Sequence, residues 1–320
     1  QEAKLFKGSS VATEQGPFEG RGGPGAASFT AFPEEATHRM DTGSYRMSVR
    51  RRVGMEGTRA LARPDGARDT CQHVKVNGEM CGAPLGDTLT HAMTCQCGPH
   101  RIRIRNKVRD YIAQWLARVP GLEVMTEQYL PIWDLPPEEP GGPVRRARLD
   151  ITGVYQGEPF AVDCSIAVVA TSDVGRVTGR AISAGKRARE VEHSKHSRYP
   201  PKQGAPRLIA FVVEDRGRVG EEARAWIRQF WPHTAEDPNG SKAAQSFWQG
   251  LSATVQTMIT EQITSAYMPP RRRVIPDPRM APGQRVVAAD VPAGAAGPRM
   301  MELEDEYALD SVAQDAAPAG

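Results

Sequence analysis

Two acids and a cluster of cysteines and histidines are the residues of this chain whose types and spacing could do chemistry. The acids are Asp150 and Asp163, in the stretch RRARLDITGVYQGEPFAVDCSIAVV from Arg145 to Val169. Each stands inside an apolar run, with Leu149, Ile151 and Val154 around the first and Phe160, Val162, Cys164 and Ile166 around the second. A carboxylate is expensive to bury unless a cation holds it. Two of them on neighbouring strands are therefore either paired with Arg or Lys, or kept for a hard divalent ion.

The second group comprises Cys71, Cys81, His91, Cys95 and Cys97, with His73 and His100 nearby. Three thiols and an imidazole in a short, Gly-containing, apolar-poor segment can close a tetrahedral zinc site and fold a loop that has no core of its own. Cys81, His91 and Cys95 are the expected ligands. The fourth is Cys71 or Cys97; Cys71 is favoured because Cys95 and Cys97 are too close for easy joint ligation. The plainer reading is a set of unrelated surface thiols and histidines.

The acids need strands to carry them. The spacing predicts two short strands joined by a polar hairpin at Tyr155-Gln156-Gly157-Glu158. Ahead of them, IRIRNKVRDYIAQWLARV places Ile104, Val108, Ile112, Trp115, Leu116 and Val119 at helical spacing, with Arg and Lys on the opposite face and Pro120-Gly121 as the stop. Leu122 to Trp133 reads as a strand leading into the Pro-rich loop DLPPEEPGGPV. After the hairpin, Thr178 to Tyr199 reads as a very polar helix with apolar Ile182, Ala188 and Val191, ended by Pro200-Pro201. RLIAFVVE, Arg207 to Glu214, is a near-continuous apolar run of strand length, the mark of a strand buried on both faces. Helices are expected over Gly220 to Trp231 and Gly240 to Ala266, the latter with Phe247, Leu251, Val255, Ile259 and Ile263 on one stripe. The natural packing is an α/β (α+β) fold, a mixed sheet of about four strands with helices on both faces.

Outside this unit the periodicity fails. Residues 1 to about 45 are rich in Gly, Pro, Ser and Ala and read as disordered or a linker; residues 267 to 320 read as a disordered Pro, Ala and acid tail. Between Tyr45 and Leu61, apolar Met47, Val49 and Val53 are too sparse to predict a helix. Residues 46–100 are thus expected to form a basic segment with a zinc knuckle, and residues 101–266 the main domain. The chain begins at Gln and is expected to be a fragment or a processed piece.

Of the 320 residues, five are Cys, and net charge is only +3. An odd cysteine count, mostly clustered, argues against a secreted disulfide scaffold. No run reaches the roughly 18 apolar residues of a membrane span, and no signal peptide is visible. Charge is unevenly placed: Arg101, Arg103, Arg105, Lys107 and Arg109 form one basic run, and Arg145, Arg146 and Arg148 another. Such local runs are what a polyanion feels, although evenly spread Arg is usually just a solvated surface.

Taken in order, RRRVG, the knuckle with CGAPLGDTLTHAMTC, RIRIRNKVRDYI, RARLDI, FAVDCSI, KHSRY and LIAFVVE resemble a known family over about Tyr45 to Ala266. It is the carboxy-terminal region of site-specific, non-long-terminal-repeat retrotransposon polyproteins, where a zinc knuckle precedes a restriction-like endonuclease of the PD-(D/E)XK fold, downstream of a reverse transcriptase. The resemblance implies a magnesium- or manganese-dependent endonuclease, a hydrolase of DNA phosphodiesters, with Asp150 and Asp163 as the metal-binding acids. It departs from the family pattern at Arg148-Leu149, where a basic residue and a proline or alanine are usual, and at Arg105-Asn106, where an Arg-His pair is usual. The parent fold keeps a lysine two residues after the second acid; here Ser165 stands there. The lysine then comes from the following helix, with Lys195 in KHSRY the best match and Lys186 the alternative. Glu127 is a candidate third acid.

Hydrolysing a phosphodiester needs a metal to neutralise phosphate oxygens and to make hydroxide from water. A lysine nearby stabilises the charge that develops. Arg103, Arg105, Lys107, Arg145, Arg146 and Arg148 would hold the nucleic-acid backbone by phosphate contacts carrying little sequence information. The resemblance further implies DNA as partner, with RNA as an alternative, an upstream reverse transcriptase, no membrane, and an intracellular, nuclear place of action. The competing expectation is a zinc-containing nucleic-acid-binding module that has lost cleavage.

Overall fold

The computed structural model describes residues 38–52, 70–75, 77–85, 89–137, 142–169, 183–231 and 238–267. In chain order the elements are α1 (Thr42–Arg52), α2 (Thr90–Thr94), α3 (His100–Leu116), β1 (Glu123–Tyr129), β2 (Arg148–Tyr155), β3 (Glu158–Ala167), α4 (Lys186–Arg198), β4 (Arg207–Glu214), α5 (Glu221–Ile227) and α6 (Pro238–Tyr267), with a 3-10 turn at Pro131–Trp133. The strands form one mixed sheet in the order β1-β2-β3-β4. β1–β2 and β2–β3 are antiparallel, and β3–β4 is parallel, so α4 is the crossover that a parallel pair requires. This is the expected four-stranded mixed sheet flanked by helices.

The hairpin between β2 and β3 closes at the Tyr155–Glu158 pair. Its central residues, Gln156 at φ 52° and Gly157 at φ 84°, both lie in the left-handed region. A two-residue turn needs that sign to match the twist of the strands, and glycine takes it without a steric cost.

Apolar residues cover both faces of the sheet. On one face Ile151, Phe160, Val162, Cys164, Ile209, Phe211 and Val213 join the stripes of α3 and α6. Trp226 of α5 packs edge-to-face on Phe160 and Phe211. On the other face Ala167, Ala210 and Val212 meet Ala188 of α4, and Ala161 and Leu208 lie with Trp133, Leu149 and Tyr199. Among the described residues, the cysteine segment adds no second core. Cys71, Leu85, Leu89, Ala92 and Met93 belong to the same buried cluster as Ile104, Ile259 and Ile263.

Several boundaries differ from those the sequence predicts. A helix, α1, begins at Thr42, inside the expected linker, despite its sparse apolar residues. Its anchor is polar: the buried Arg51 donates from Nη2 to Asp215 Oδ2 at 2.7 Å and from Nη1 to Gln256 Oε1 at 3.2 Å. Asp215, just past β4, also accepts the Val169 N–H at 2.8 Å and faces Arg216 Nε at 3.3 Å. Helix α4 starts at Lys186, behind Gly185 at φ 72°, and the buried Glu214 carboxylate accepts its Ala188 N–H at 3.0 Å. Thr178 and Ile182, expected within it, lie outside the described residues, as do 1–37, 53–69 and 268–320. Helix α5 stops at Ile227, and the chain to Phe230 continues in i+3 turns such as Gln229 N–H to Trp226 O at 3.1 Å. Among the described residues, no helix is long and apolar enough to cross a membrane.

Glu192 of α4 is buried, and its Oε1 has no hydrogen-bond partner among the described residues. Burial holds its carboxyl above the ordinary range; the charges of Glu222 and Glu221 add to the rise, against a backbone hydrogen bond from Glu222 and the nearby His196. A folded-state value above the unfolded one means that ionisation costs stability above it, and that this cost vanishes below the unfolded value, about 4.3 for Glu. Glu192→Gln is therefore expected to raise the melting temperature at pH 8, and to lose the advantage as the pH falls through about 4. Thermal unfolding of both proteins across that range checks it.

Candidate functional site

Cys71 and Cys81 stand on two short stretches bridged at Thr70–Pro84 and Val74–Met80. Backbone bonds from Cys71 N–H to Ala83 O at 2.8 Å and from Cys81 N–H to His73 O at 2.7 Å close the spacing between them. His91 and Cys95 lie four residues apart at α2, the separation that puts side chains on one side of a helical turn. Cys71 Sγ is 3.7 Å from Cys95 Sγ, and Cys81 Sγ is 3.3 Å from His91 Nε2. The four ligand atoms all lie within 4.8 Å of one another. Tetrahedral bonds of about 2.3 Å to sulfur and 2.0–2.1 Å to nitrogen span about 3.8 Å between two sulfurs and about 3.6 Å between sulfur and nitrogen. The cluster could therefore hold a metal ion such as zinc.

The chemistry of the donors fits. Burial pushes the Cys71 and Cys95 thiols up, and for Cys95 the neighbouring Cys71 adds to the rise against the Cys97 N–H, which donates to its sulfur at 3.4 Å. Crowded, buried thiols of this kind are relieved by a cation. Burial lowers His91, leaving the neutral imidazole that a metal takes. Cys97 lies outside the four, although its thiol adjoins Cys81. His73 and His100 also lie outside it, with rings stacked at 4.4 Å.

The acids sit where the β2–β3 ladder ends. The last pair of the ladder is Ile151 with Val162, so Asp150 and Asp163 are the residues that flank its end on the two strands. There the Asp150 side chain takes over, with Oδ2 accepting the Cys164 N–H at 2.7 Å. Its Oδ1 accepts Arg105 Nε at 2.8 Å and Nη2 at 2.7 Å. Asp150 has no exposed surface, and burial raises its carboxyl; Arg105 opposes the rise and the charge of Asp163 adds to it. Lys195, in the last turn of α4, brings Nζ to 3.1 Å from Asp163 Oδ2, each side chain only 6% exposed. Lys186 is exposed at the other end of α4, about 14 Å along its axis, and does not join the acids.

Glu127 completes a row of acids across the sheet. The pairs Thr126–Ile151 and Gln128–Leu149 bracket it opposite Asp150. Its carboxylate is half exposed and turned to Arg109 and, at 3.9 Å, to Arg148. Asp150, Asp163 and Lys195 are thus brought together, and Glu127 faces its own arginines.

The basic residues divide. Lys107 and Arg146 are exposed, Arg103 is exposed beside Glu261 at 3.7 Å, and Arg148 is exposed beside Glu127. Arg145 Nε donates to the Pro136 carbonyl at 3.3 Å. Arg105, expected among the phosphate contacts, instead turns inward to Asp150, because a fully buried carboxylate is the stronger demand. Arg109, expected on the polar face of α3, is likewise buried, against Asp110 and Glu127. Both roles escaped sequence reasoning. The signal was present in the stripe Ile112 and Leu116, which at helical spacing continues back through Arg109 and Arg105.

Removing one partner of a buried ion pair costs about 3–5 kcal/mol. Arg105→Ala is expected to lose stability of that order in denaturant unfolding, whereas Lys186→Ala stays within about 0.5 kcal/mol of wild type. No protein-family model and no curated protein matches the chain, so the site is defined by its geometry.

Proposed function

We propose that the acid cluster is the active site of a metal-dependent endonuclease hydrolysing DNA phosphodiesters, that the thiol–imidazole cluster holds zinc, and that the chain serves as the restriction-like nuclease region of a site-specific retroelement polyprotein. The observation that carries this reading is the meeting of Asp150, Asp163 and Lys195, from three separate elements, at one place on the sheet. The mixed four-stranded sheet with helices on both faces agrees with the resemblance.

Two carboxylates forced side by side, one pushed up by burial and by the other's charge, form a site that a divalent cation relieves. Asp150 and Asp163 would hold Mg²⁺ or Mn²⁺, which when bound neutralises phosphate oxygens and lowers the pKa of a water. Arg105 opposes the rise that burial imposes on the Asp150 carboxyl and fixes its orientation. Lys195, held by Asp163, is placed to stabilise charge developing on the phosphate. The exposed Arg103, Lys107, Arg146 and Arg148 would grip the strand by its phosphates, with RNA the alternative partner. On this reading the chain would act in the nucleus beside a reverse transcriptase.

One observation favours the second reading, a nucleic-acid-binding module without cleavage. Both oxygens of Asp150 already have protein donors, Arg105 and the Cys164 N–H, and Asp163 has Lys195.

Zinc analysis of purified protein is expected to find one ion per wild-type and Cys97→Ser chain, and a loss in Cys71→Ser; zinc-free folded wild type rejects the zinc assignment. On supercoiled plasmid with Mg²⁺ or Mn²⁺, wild type is expected to nick, and Asp163→Ala and Lys195→Ala to lose at least about 100-fold. Equal nicking by wild type and Asp163→Ala rejects the acid site. Salt-dependent DNA binding without nicking selects the second reading.

A further inference from the structure

Helix α3 begins at His100 behind Pro99, with no side-chain cap on its first N–H groups. The chain before it and the end of α6 fix that terminus instead. Cys95 to Gly98 run directly into it, and the Cys97 N–H is tied to the Cys95 sulfur. The His100 ring stacks on His73, whose Nε2 lies 2.9 Å from Ser265 Oγ and 3.2 Å from the Gln262 carbonyl on α6. Gln72 N–H donates to Ala266 O at 2.8 Å, and the Gln262 amide donates to the carbonyls of Ala92 and Met93 at 2.9 Å each. The residues around the thiol–imidazole cluster thus touch both the start of α3, through the His73–His100 stack, and the end of α6, through hydrogen bonds.

An independent finger would close over its own apolar residues. Here Leu85, Leu89 and Met93 are buried in the core that contains Ile104 of α3 and Ile259 and Ile263 of α6. Five residues into α3, about 7.5 Å along its axis, Arg105 reaches Asp150. A shift of α3 by an ångström would stretch the 2.7 Å Arg105–Asp150 contact beyond hydrogen-bond length.

We infer that the thiol–imidazole centre is the positioning element of the acid cluster: the ion held by Cys71, Cys81, His91 and Cys95 sets the place of α3, and α3 sets Arg105 on Asp150. This rests on the zinc and divalent-cation readings above. Ion binding by ligands from two separate stretches is itself folding free energy, so removing the ion releases the loop that fixes α3. Cys71, Cys81, His91 and Cys95 are then positioning residues for the chemistry, and none touches the substrate.

The test uses the full chain with Co²⁺ in the thiol–imidazole centre. Thiolate–cobalt absorption reports that centre, tryptophan fluorescence, to which the buried Trp115 and Trp226 contribute, reports the core, and Mn²⁺ titration reports the acids. Chelating the cobalt is expected to lower the core melting temperature by more than about 5 °C and to weaken Mn²⁺ binding at least about tenfold, with Zn²⁺ restoring both. Lys75→Ala, in the same loop but exposed and paired with the exposed Glu79, is expected to change neither readout. A chelated protein with unchanged core melting and unchanged Mn²⁺ affinity overturns the inference. Should the intact protein bind no Mn²⁺, the acid-site reading fails by itself, and the core melting decides whether the centre holds α3: a drop sustains that part, and no change overturns it.

Discussion

A carboxylate with no exposed surface, set in the middle of a sheet, must be matched by charge, and much of the fold is arranged around that match. Asp150 is such a carboxylate, and Arg105 reaches it from α3 with two nitrogens on one oxygen. The pair fixes which face α3 turns to the sheet and how far along the sheet it lies. A second pair, Arg51 with Asp215, does the same for α1 at the far end of β4. Buried pairs of this kind add little net stability over apolar packing, but breaking one costs several kcal/mol because the survivor is left charged and dry. They therefore specify an arrangement more than they strengthen it.

The parallel step from β3 to β4 gives the second half of the site. It requires a crossover helix, and α4 both covers the Ala167, Ala210 and Val212 face and ends with Lys195 beside Asp163. Packing on the α4 side is by small side chains, Ala188 against Ala210, which lets the helix lie close enough for a lysine to reach the strand. The same residues that build the core thus decide which cation each acid receives.

Elements whose cause is apolar periodicity were legible in the sequence. The two strands around Asp150 and Asp163, the uninterrupted RLIAFVVE, and the long stripes of α3 and α6 are where the pattern puts them. What escaped was structure made by polar residues. Helix α1 hangs on a buried arginine, so its apolar pattern is too thin to reveal it. Arg105 and Arg109 look like surface charge in an amphipathic helix, and the one hint otherwise is that the stripe of Ile112 and Leu116 runs back through both. The cysteine spacing pointed to a metal loop, yet it carried no sign that this loop shares the core of the larger unit, since that depends on Leu85, Leu89 and Met93 meeting a helix more than 150 residues later.

Glu127 has one more consequence. Its backbone takes φ 54°, a left-handed conformation in the middle of β1, and among the described residues β1 is an outer strand of the sheet. Met125 and Tyr129 on that strand are exposed. An open edge bearing apolar side chains is a template on which another chain can zip up. One left-handed residue breaks the even row of N–H and C=O groups that such zipping needs, and the charges of Glu127, Arg109 and Arg148 gathered there oppose it further. The residue that ends the acid row is thereby also a guard against self-association along the sheet.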